Sequence, residues 1–412
     1  MASEAAGVAP ARRSSGYQIV LVSLLSLNFG IVFFDRQALN VLMPFVQPEL
    51  SLTNTQIGII AGGLSFTWAL AAFGIGKLSD TLGNRKLLLV LATLAFSLCS
   101  FLTGIASSFA LLLGARLLMG AAEGGVMPIS HAMIATEVSP ERRGMAMGIG
   151  QNLGSNLLGS FLAPVVLIAF AEAFGWRSAF FLAGVPGIIS AFVIWFMLDE
   201  PAAPPKPADD ADRMSILDAL KVRNIWICVA MGVLLVAFFV ITWAFLPLYL
   251  AQTRGFDETT MSWIIGTLGI SATIGSFAIS GISDKIGRKP VMIAMPFIAV
   301  LLPLAALFFN GSALALAAIF FVGWGVVGIF PLYMATIPSE SVDARHHATV
   351  LGLAMGSCEI LGGVLGPPIA GSLNDAFGMD TFLWVMIGLA VVAGLIATGL
   401  KETAPAKVRK RT

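Results

Sequence analysis

The sequence predicts an all-α membrane protein of twelve transmembrane helices, and three observations carry that prediction. Of its 412 residues, 57% are hydrophobic and only 11% charged, against roughly 45–50% and 25% in soluble domains, and the mean hydropathy is +0.90. Twelve stretches reach the length of about 20 residues that crosses a hydrocarbon core. A set of landmarks in the first half recurs near a shift of 204 in the second. The balance of 24 Lys+Arg against 23 Asp+Glu leaves a net charge of +1, which offers no basic surface to nucleic acid. The same composition excludes a soluble enzyme and a disordered adaptor.

The twelve spans run over 17–45, 53–76, 86–107, 109–134, 144–170, 177–198, 224–250, 259–282, 290–309, 312–336, 348–372 and 381–401. The polar leader 1–16 runs straight into the first span without a short apolar core and cleavage site, so it reads as leading a retained helix. With the N-terminus inside, 20 of the 24 basic residues fall on the cytoplasmic side, the sense that the positive-inside rule requires. Both termini are therefore expected in the cytoplasm. The longest polar stretch, 199–223, sits at the midpoint and contains PAAPPKPADDADR, the composition of a linker. It divides the chain into an N-terminal six-helix bundle (1–198), a cytoplasmic linker (199–223), a C-terminal six-helix bundle (224–401) and a cytoplasmic tail (402–412). Cys99, Cys228 and Cys358 lie in apolar runs without metal-ligand spacing and read as small buried hydrophobes.

The repeat joins these halves. Asp80, Gly83, Arg85 and Lys86 between spans two and three reappear as Asp284, Gly287, Arg288 and Lys289 between spans eight and nine. Gly148, Gly159 and Pro164 match Gly352, Gly363 and Pro368, and Ala173-Phe174-Gly175 matches Ala376-Phe377-Gly378. Two pseudo-symmetric six-helix bundles with a cavity between them are a secondary-transporter architecture.

The doubled Gly-x-x-x-Asp-x-x-Gly-x-Arg-Lys loop resembles the signature loop of the major facilitator superfamily, and Arg116-x-x-x-Gly120 resembles its span-four basic motif. Thr81, Asn84 and Ser280 depart from the loop pattern. Three further features resemble the superfamily's anion:cation symporter branch: Phe34-Asp35-Arg36 through Asn40 to Pro44, Arg116 through Glu123 to Pro128, and Gly175-Trp176-Arg177 before span six. The resemblance implies proton-coupled uptake of a small organic anion such as a sugar acid, hydroxy acid or aromatic acid. It implies no cofactor beyond the coupling proton, the bilayer as the other partner, and an inner (plasma) membrane location. A Spinster-like lysolipid or sphingolipid transporter shares the Asp-Arg pair and the span-four carboxylate and stands as the alternative. The chain is expected to act as a monomer. The resemblance also implies a gating role for Asp80 and Arg85 and for their counterparts Asp284 and Arg288.

Ionisable side chains at bilayer depth are costly, so they usually face a cavity and serve function. Span one carries Asp35 and Arg36, span four Arg116 and Glu123, span eleven Glu359. Arg116 and Glu123 are two turns apart, about 10 Å along one helix face, and are expected to face the same cavity. Protonating Asp35 or Glu123 would leave a surplus positive charge for a substrate carboxylate, so these two acids are the expected proton carriers. Arg36 is the expected carboxylate clamp, because a guanidinium engages both oxygens, and Arg116, counted in the same substrate site, is expected to tune the acids. Gln151, Asn152 and Asn156 supply amides, and Trp324 and Glu359 complete the expected substrate site. No Gly-x4-Gly-Lys-Ser/Thr run is present, which disfavours ATP-driven transport by this chain. No metal-ligand cluster or catalytic constellation suggests an enzyme.

Overall fold

The computed structural model describes residues 14–201, 214–343 and 346–408. The leader's Arg12 and Arg13, the middle of the 199–223 segment and the last residues of the tail lie outside the described residues. All described secondary structure is helical. Eleven of the described helices are long and apolar enough to cross a membrane, and a twelfth apolar helix has 17 residues. We number them α1 (Ser15–Leu50), α2 (Asn54–Leu82), α3 (Arg85–Gly104), α4 (Phe109–Glu137), α5 (Arg142–Phe174), α6 (Trp176–Met197), α7 (Arg223–Gln252), α8 (Glu258–Ile286), α9 (Arg288–Phe308), α10 (Ala313–Glu340), α11 (Thr349–Phe377) and α12 (Thr381–Ala397). Each falls where a span was expected, and an exposed apolar belt including Leu91, Ile189, Phe196, Phe277, Leu314 and Leu395 marks the lipid-facing surface. The molecule is an all-α, multi-pass membrane protein.

The helices outrun the apolar stretches, because they end on conformation rather than on hydropathy. The signature loop is mostly helix: α2 continues through Asp80 to Leu82 and α8 through Asp284 to Ile286. The turn is made by Gly83 at φ 69° and Gly287 at φ 114°, positive-φ positions that strain any residue with a Cβ. The paired Ala-Phe-Gly runs stop α5 and α11 in the same way. At the other ends, Thr53 and Gln56 form a capping box on α2, and Asp257 accepts from the Thr260 amide of α8 at 2.9 Å, both satisfying otherwise orphaned donors.

A second pair of caps uses distant residues. Glu200, just after α6, accepts from the Arg85 and Lys86 amides at 2.6 and 3.0 Å. Glu402, after α12, accepts from the Arg288 and Lys289 amides at 2.8 and 3.2 Å. Each carboxylate sits on the positive end of a helix dipole, tying α6 to α3 and α12 to α9. Within the expected linker, Ile216–Lys221 is a short helix capped by Ser215, which accepts from the Asp218 amide at 3.1 Å.

The first six helices meet the last six closely at one end. A Cβ at Gly58 or Gly62 of α2 would fall on backbone atoms of Pro367 or Val364 in α11, and one at Gly371 of α11 would fall on Asn54. Gly269 of α8 approaches Ser160 and Phe161 of α5 in the same fashion. Such small-residue crossings let backbones touch where hydrophobic driving force between helices is weak. Asp375 of α11 accepts four hydrogen bonds from the start of α2, from the Asn54 amide (2.9 Å) and Nδ2 (2.9 Å) and the Thr55 amide (2.8 Å) and Oγ1 (2.6 Å). Gln252 Nε2 donates to Gln47 Oε1 at 2.9 Å, joining α7 to α1. Towards the opposite end, Gly74, Gly144, Gly148, Gly281, Gly352 and Gly356 have open space where a Cβ would sit. The halves are sealed at one end, and among the described residues these glycines at the other end make no such crossing. Three of the helices also contain π-wound stretches: Ile149–Leu153 and Ser155–Leu162 in α5, Leu332–Thr336 in α10, and Cys358–Val364 in α11.

Candidate functional site

A cavity of ≈ 250 Å³ lies between the halves, lined from α1, α2, α4, α5, α7, α8, α10 and α11. Arg36, Gln151, Asn152, Asn156, Trp324 and Glu359 all reach its wall. Among the described residues, no hydrogen bond engages the side-chain amides of Gln151, Asn152 or Asn156, so they are free to meet a ligand. Arg36 lies 5.6 Å from the Phe33 ring centroid and 5.7 Å from that of Trp68, and its Nη1 is 3.9 Å from Glu123 Oε2. Its guanidinium is therefore held by aromatic faces and one long ion pair, and it retains donors for an incoming carboxylate. Glu359, which had no expected cationic partner in its own half, faces the same cavity as Arg36 from across the molecule.

The other three intramembrane charges do not line that cavity. Asp35, Arg116 and Glu123 are at most 1% exposed and sit behind the wall, among α1, α3, α4 and α6. One residue along a helix is a rotation of about 100°, so with Arg36 turned to the cavity, Asp35 is turned to α3. There Ser100 Oγ donates to Asp35 Oδ1 at 2.8 Å. Arg116 packs over the Phe180 ring at 5.4 Å and reaches Met119 Sδ at 3.1 Å. It shares with Arg36 and Ser65 only a small side recess of ≈ 50 Å³. The expectation that Arg116 and Glu123 both face the substrate cavity is therefore corrected: they form a buried layer behind it. That layer is under-bonded, because Asp35 Oδ2, Arg116 Nε and Nη2, and both Glu123 oxygens lack hydrogen-bond partners. Among the described residues, Arg36 is the one charged side chain that touches both the layer and the cavity.

The expected gating charges lie elsewhere. Arg288 binds Asp284 at 2.5 Å and Glu340 at 3.0 Å, and Thr403 Oγ1 donates to the same Glu340 carboxylate at 2.6 Å. Arg85 donates to Thr136 Oγ1 at 3.0 Å and to the Ala132 carbonyl at 3.4 Å. These contacts stay within one half. The Asp80 side chain lies outside the described residues.

Three elements of the site carried no clear signal in the sequence. Phe239 and Phe330 form part of the cavity wall, but with 29 Phe in the chain no single one stands out. Gln37 also reaches the wall and accepts from Asn40 Nδ2 at 2.6 Å; a polar pair three residues apart in an apolar span was the available clue. The Asp375 clasp depends on a contact 321 residues away in sequence.

Over 406 residues the chain is 28% identical to the hexuronate transporter of Bacillus subtilis (strain 168), covering 92% of this chain and 93% of that one. It is 25% identical over 404 residues to the probable sulfoacetate transporter SauU of Cupriavidus necator, with 92% of each chain covered. It is likewise 25% identical over 399 residues to the multidrug resistance protein MdtG of Yersinia enterocolitica, covering 92% of this chain and 93% of that one. In fold it is similar to a bacterial homologue of the human lysosomal transporter Spinster, solved inward-facing and unoccupied. The TM-score is 0.78 at 20% identity, over 94% of this chain and 97% of that one. The sequence profile of the Major Facilitator Superfamily matches residues 25–358 and 239–412; the chain belongs to that superfamily and is a secondary transporter, not an enzyme.

Proposed function

We propose that the chain is a proton-coupled symporter that takes up a small organic anion, a carboxylate, by alternating access. The observation that carries this reading is the position of Arg36, on the cavity wall and 3.9 Å from the buried Glu123 carboxylate. Asp35, Arg36, Arg116 and Glu123 cancel when both acids are ionised. A proton on Glu123 removes the counter-charge of Arg36, and a substrate carboxylate restores it. An unpaired charge in a buried site is costly, so proton and anion each favour the other's binding, and such coupling is reciprocal. Asp35 would be the second proton site, with Arg116 acting through it rather than on the substrate. Gln151, Asn152 and Asn156 would orient the anion beside Arg36, with Trp324 and Glu359 on the far wall. The relatives named for hexuronate and sulfoacetate support an anionic cargo.

The architecture that accompanies this reading is two six-helix bundles, 1–198 and 224–401, joined by the linker 199–223 and followed by the tail 402–412. Both termini are cytoplasmic, and the protein acts as a monomer in the inner (plasma) membrane. The sealed end then faces outward and the cavity opens to the cytoplasm. Asp80, Arg85, Asp284 and Arg288 would exchange contacts within their own half for contacts across the halves when the cytoplasmic side closes.

Purified protein in proteoliposomes, offered labelled carboxylates with and without an inward proton gradient, tests the reading. The Glu123→Gln variant should lose gradient-driven accumulation while retaining counterflow exchange. Unchanged gradient-driven accumulation in that variant would refute the assignment. A Spinster-like lysolipid carrier is the second reading, favoured by the apolar far wall of the cavity. Gradient-driven lysolipid uptake without carboxylate uptake would select it.

A further inference from the structure

The two walls of the cavity differ sharply in chemistry. Of the twelve lining residues before the linker, eight are polar or charged, whereas of the thirteen after it only Ser276 and Glu359 are. The Ser276 hydroxyl is already committed, donating to the Ala272 carbonyl at 2.7 Å in its own helix. That leaves the Glu359 carboxyl and the indole N–H donors of Trp243 and Trp324 as the open polar groups of the far wall among the described residues.

The rest of that wall is an aromatic surface assembled in advance. The Trp324 ring lies 5.4 Å from Phe239, 5.8 Å from Trp243 in an edge-on contact, and 6.2 Å from Phe238 behind it. Phe239 continues to Phe330 at 6.3 Å. Trp324 is 2% exposed, so its neighbours fix it and little ordering remains when a ligand docks against the group.

Resting on the anion reading above, we infer that the substrate is a monocarboxylate with a flat aromatic body. Its carboxylate meets Arg36 and the α5 amides, and its ring packs against Phe239 and Trp243, which Trp324 backs. A polyhydroxylated acid fits poorly, because its hydroxyls would be pressed against a wall that offers one carboxyl and two indole N–H groups and is otherwise apolar. Each hydroxyl buried without a partner costs affinity about tenfold or more. An arene gains from the same wall through offset and edge-to-face contact. Glu359 leaves room for one hydrogen-bonding substituent at the far end of the ring.

Calorimetric titration of the full chain in lipid nanodiscs, with benzoate and with glucuronate, tests this. Benzoate should bind at least tenfold more tightly than glucuronate, and Arg36→Gln should abolish the binding of both. Trp243→Leu, at a part-exposed wall position, should weaken benzoate about tenfold and glucuronate by less, narrowing the gap between them. Val240→Ser, which adds a hydroxyl to the apolar wall, should narrow the gap between the two acids. Glucuronate binding as tightly as benzoate overturns the inference while leaving the anion reading intact. Failure of both acids to bind overturns the anion reading, and the inference with it.

Discussion

The clasp between Asp375 and the start of α2 allows a quantitative prediction about the balance between transport states. Asp375→Asn removes the charge and leaves one acceptor oxygen, so at least two of the four bonds to Asn54 and Thr55 are lost. Hydrogen bonds to a charged group contribute about 1.5–3 kcal/mol each, and a carboxylate at a helix N-terminus adds roughly 0.3–1 kcal/mol. Asp375 is exposed, and water recovers much of this when the clasp opens. The net loss should be about 1–2 kcal/mol, a roughly 5- to 30-fold shift in the ratio of sealed to open molecules. The three native cysteines are buried, so spin labels at Ser107→Cys and Thr259→Cys, on opposite halves of the sealed end, attach selectively. Pulsed electron resonance in nanodiscs should then record a larger long-distance population in the Asp375→Asn background. An identical distance distribution would mean that the glycine crossings alone hold the seal and that the clasp adds nothing.

Three other consequences are open to measurement. Gly58→Val places side-chain atoms on the Pro367 carbonyl, so the α2–α11 seal should fail and uptake should fall at least about tenfold; thermal unfolding near the parent value would show that the fold survived, and parent-like uptake would show the crossing to be dispensable. Burial pushes the Glu402 carboxyl up, but the N–H donors of Ala404, Arg288, Lys289 and Thr403 outweigh it and hold it below the usual carboxylate range. Its stabilisation is therefore present above the ordinary value of 4.5 and is lost as pH falls through the depressed one. Glu402→Ala should cost about 0.5–2 kcal/mol at neutral pH, the range for a lost helix cap, and that deficit should shrink on acidification in thermal scans; a deficit independent of pH would contradict the capping role. Cys99, Cys228 and Cys358 are all buried, so a water-soluble thiol reagent should modify none in the native protein and all three after denaturation, as counted by intact mass.

Span positions were legible because crossing the bilayer imposes length and hydropathy on each segment, and no tertiary contact can override that. The repeat was legible for a related reason: Gly83 and Gly287 must adopt positive φ, so the same residue marks the same turn twice. The cavity-facing set came through in part. Arg36, Gln151, Asn152, Asn156, Trp324 and Glu359 are polar or large residues in apolar helices, and they reach the wall. Depth in the membrane does not reveal azimuth, however. Asp35 and Arg36 are adjacent in sequence yet point to different neighbours, and Arg116 and Glu123 share a helix face that turns to α1 and α6 rather than to the cavity. The clasp at Asp375 and the caps at Glu200 and Glu402 are surface carboxylates whose partners are known only once the helices are packed.

The π-wound stretches have a consequence for how the cavity can change. A turn closed by i→i+5 bonds holds one residue more than an α turn, and one residue corresponds to about 100° of rotation. The stretches Ser155–Leu162 and Cys358–Val364 contain Asn156 and Glu359. Rewinding either stretch into regular α-helix would turn the residues on one side of it by about 100° around the axis and shift them by about 1.5 Å along it. The two stretches are therefore the places in α5 and α11 where a local change of helical pitch would alter which side chains face the chamber.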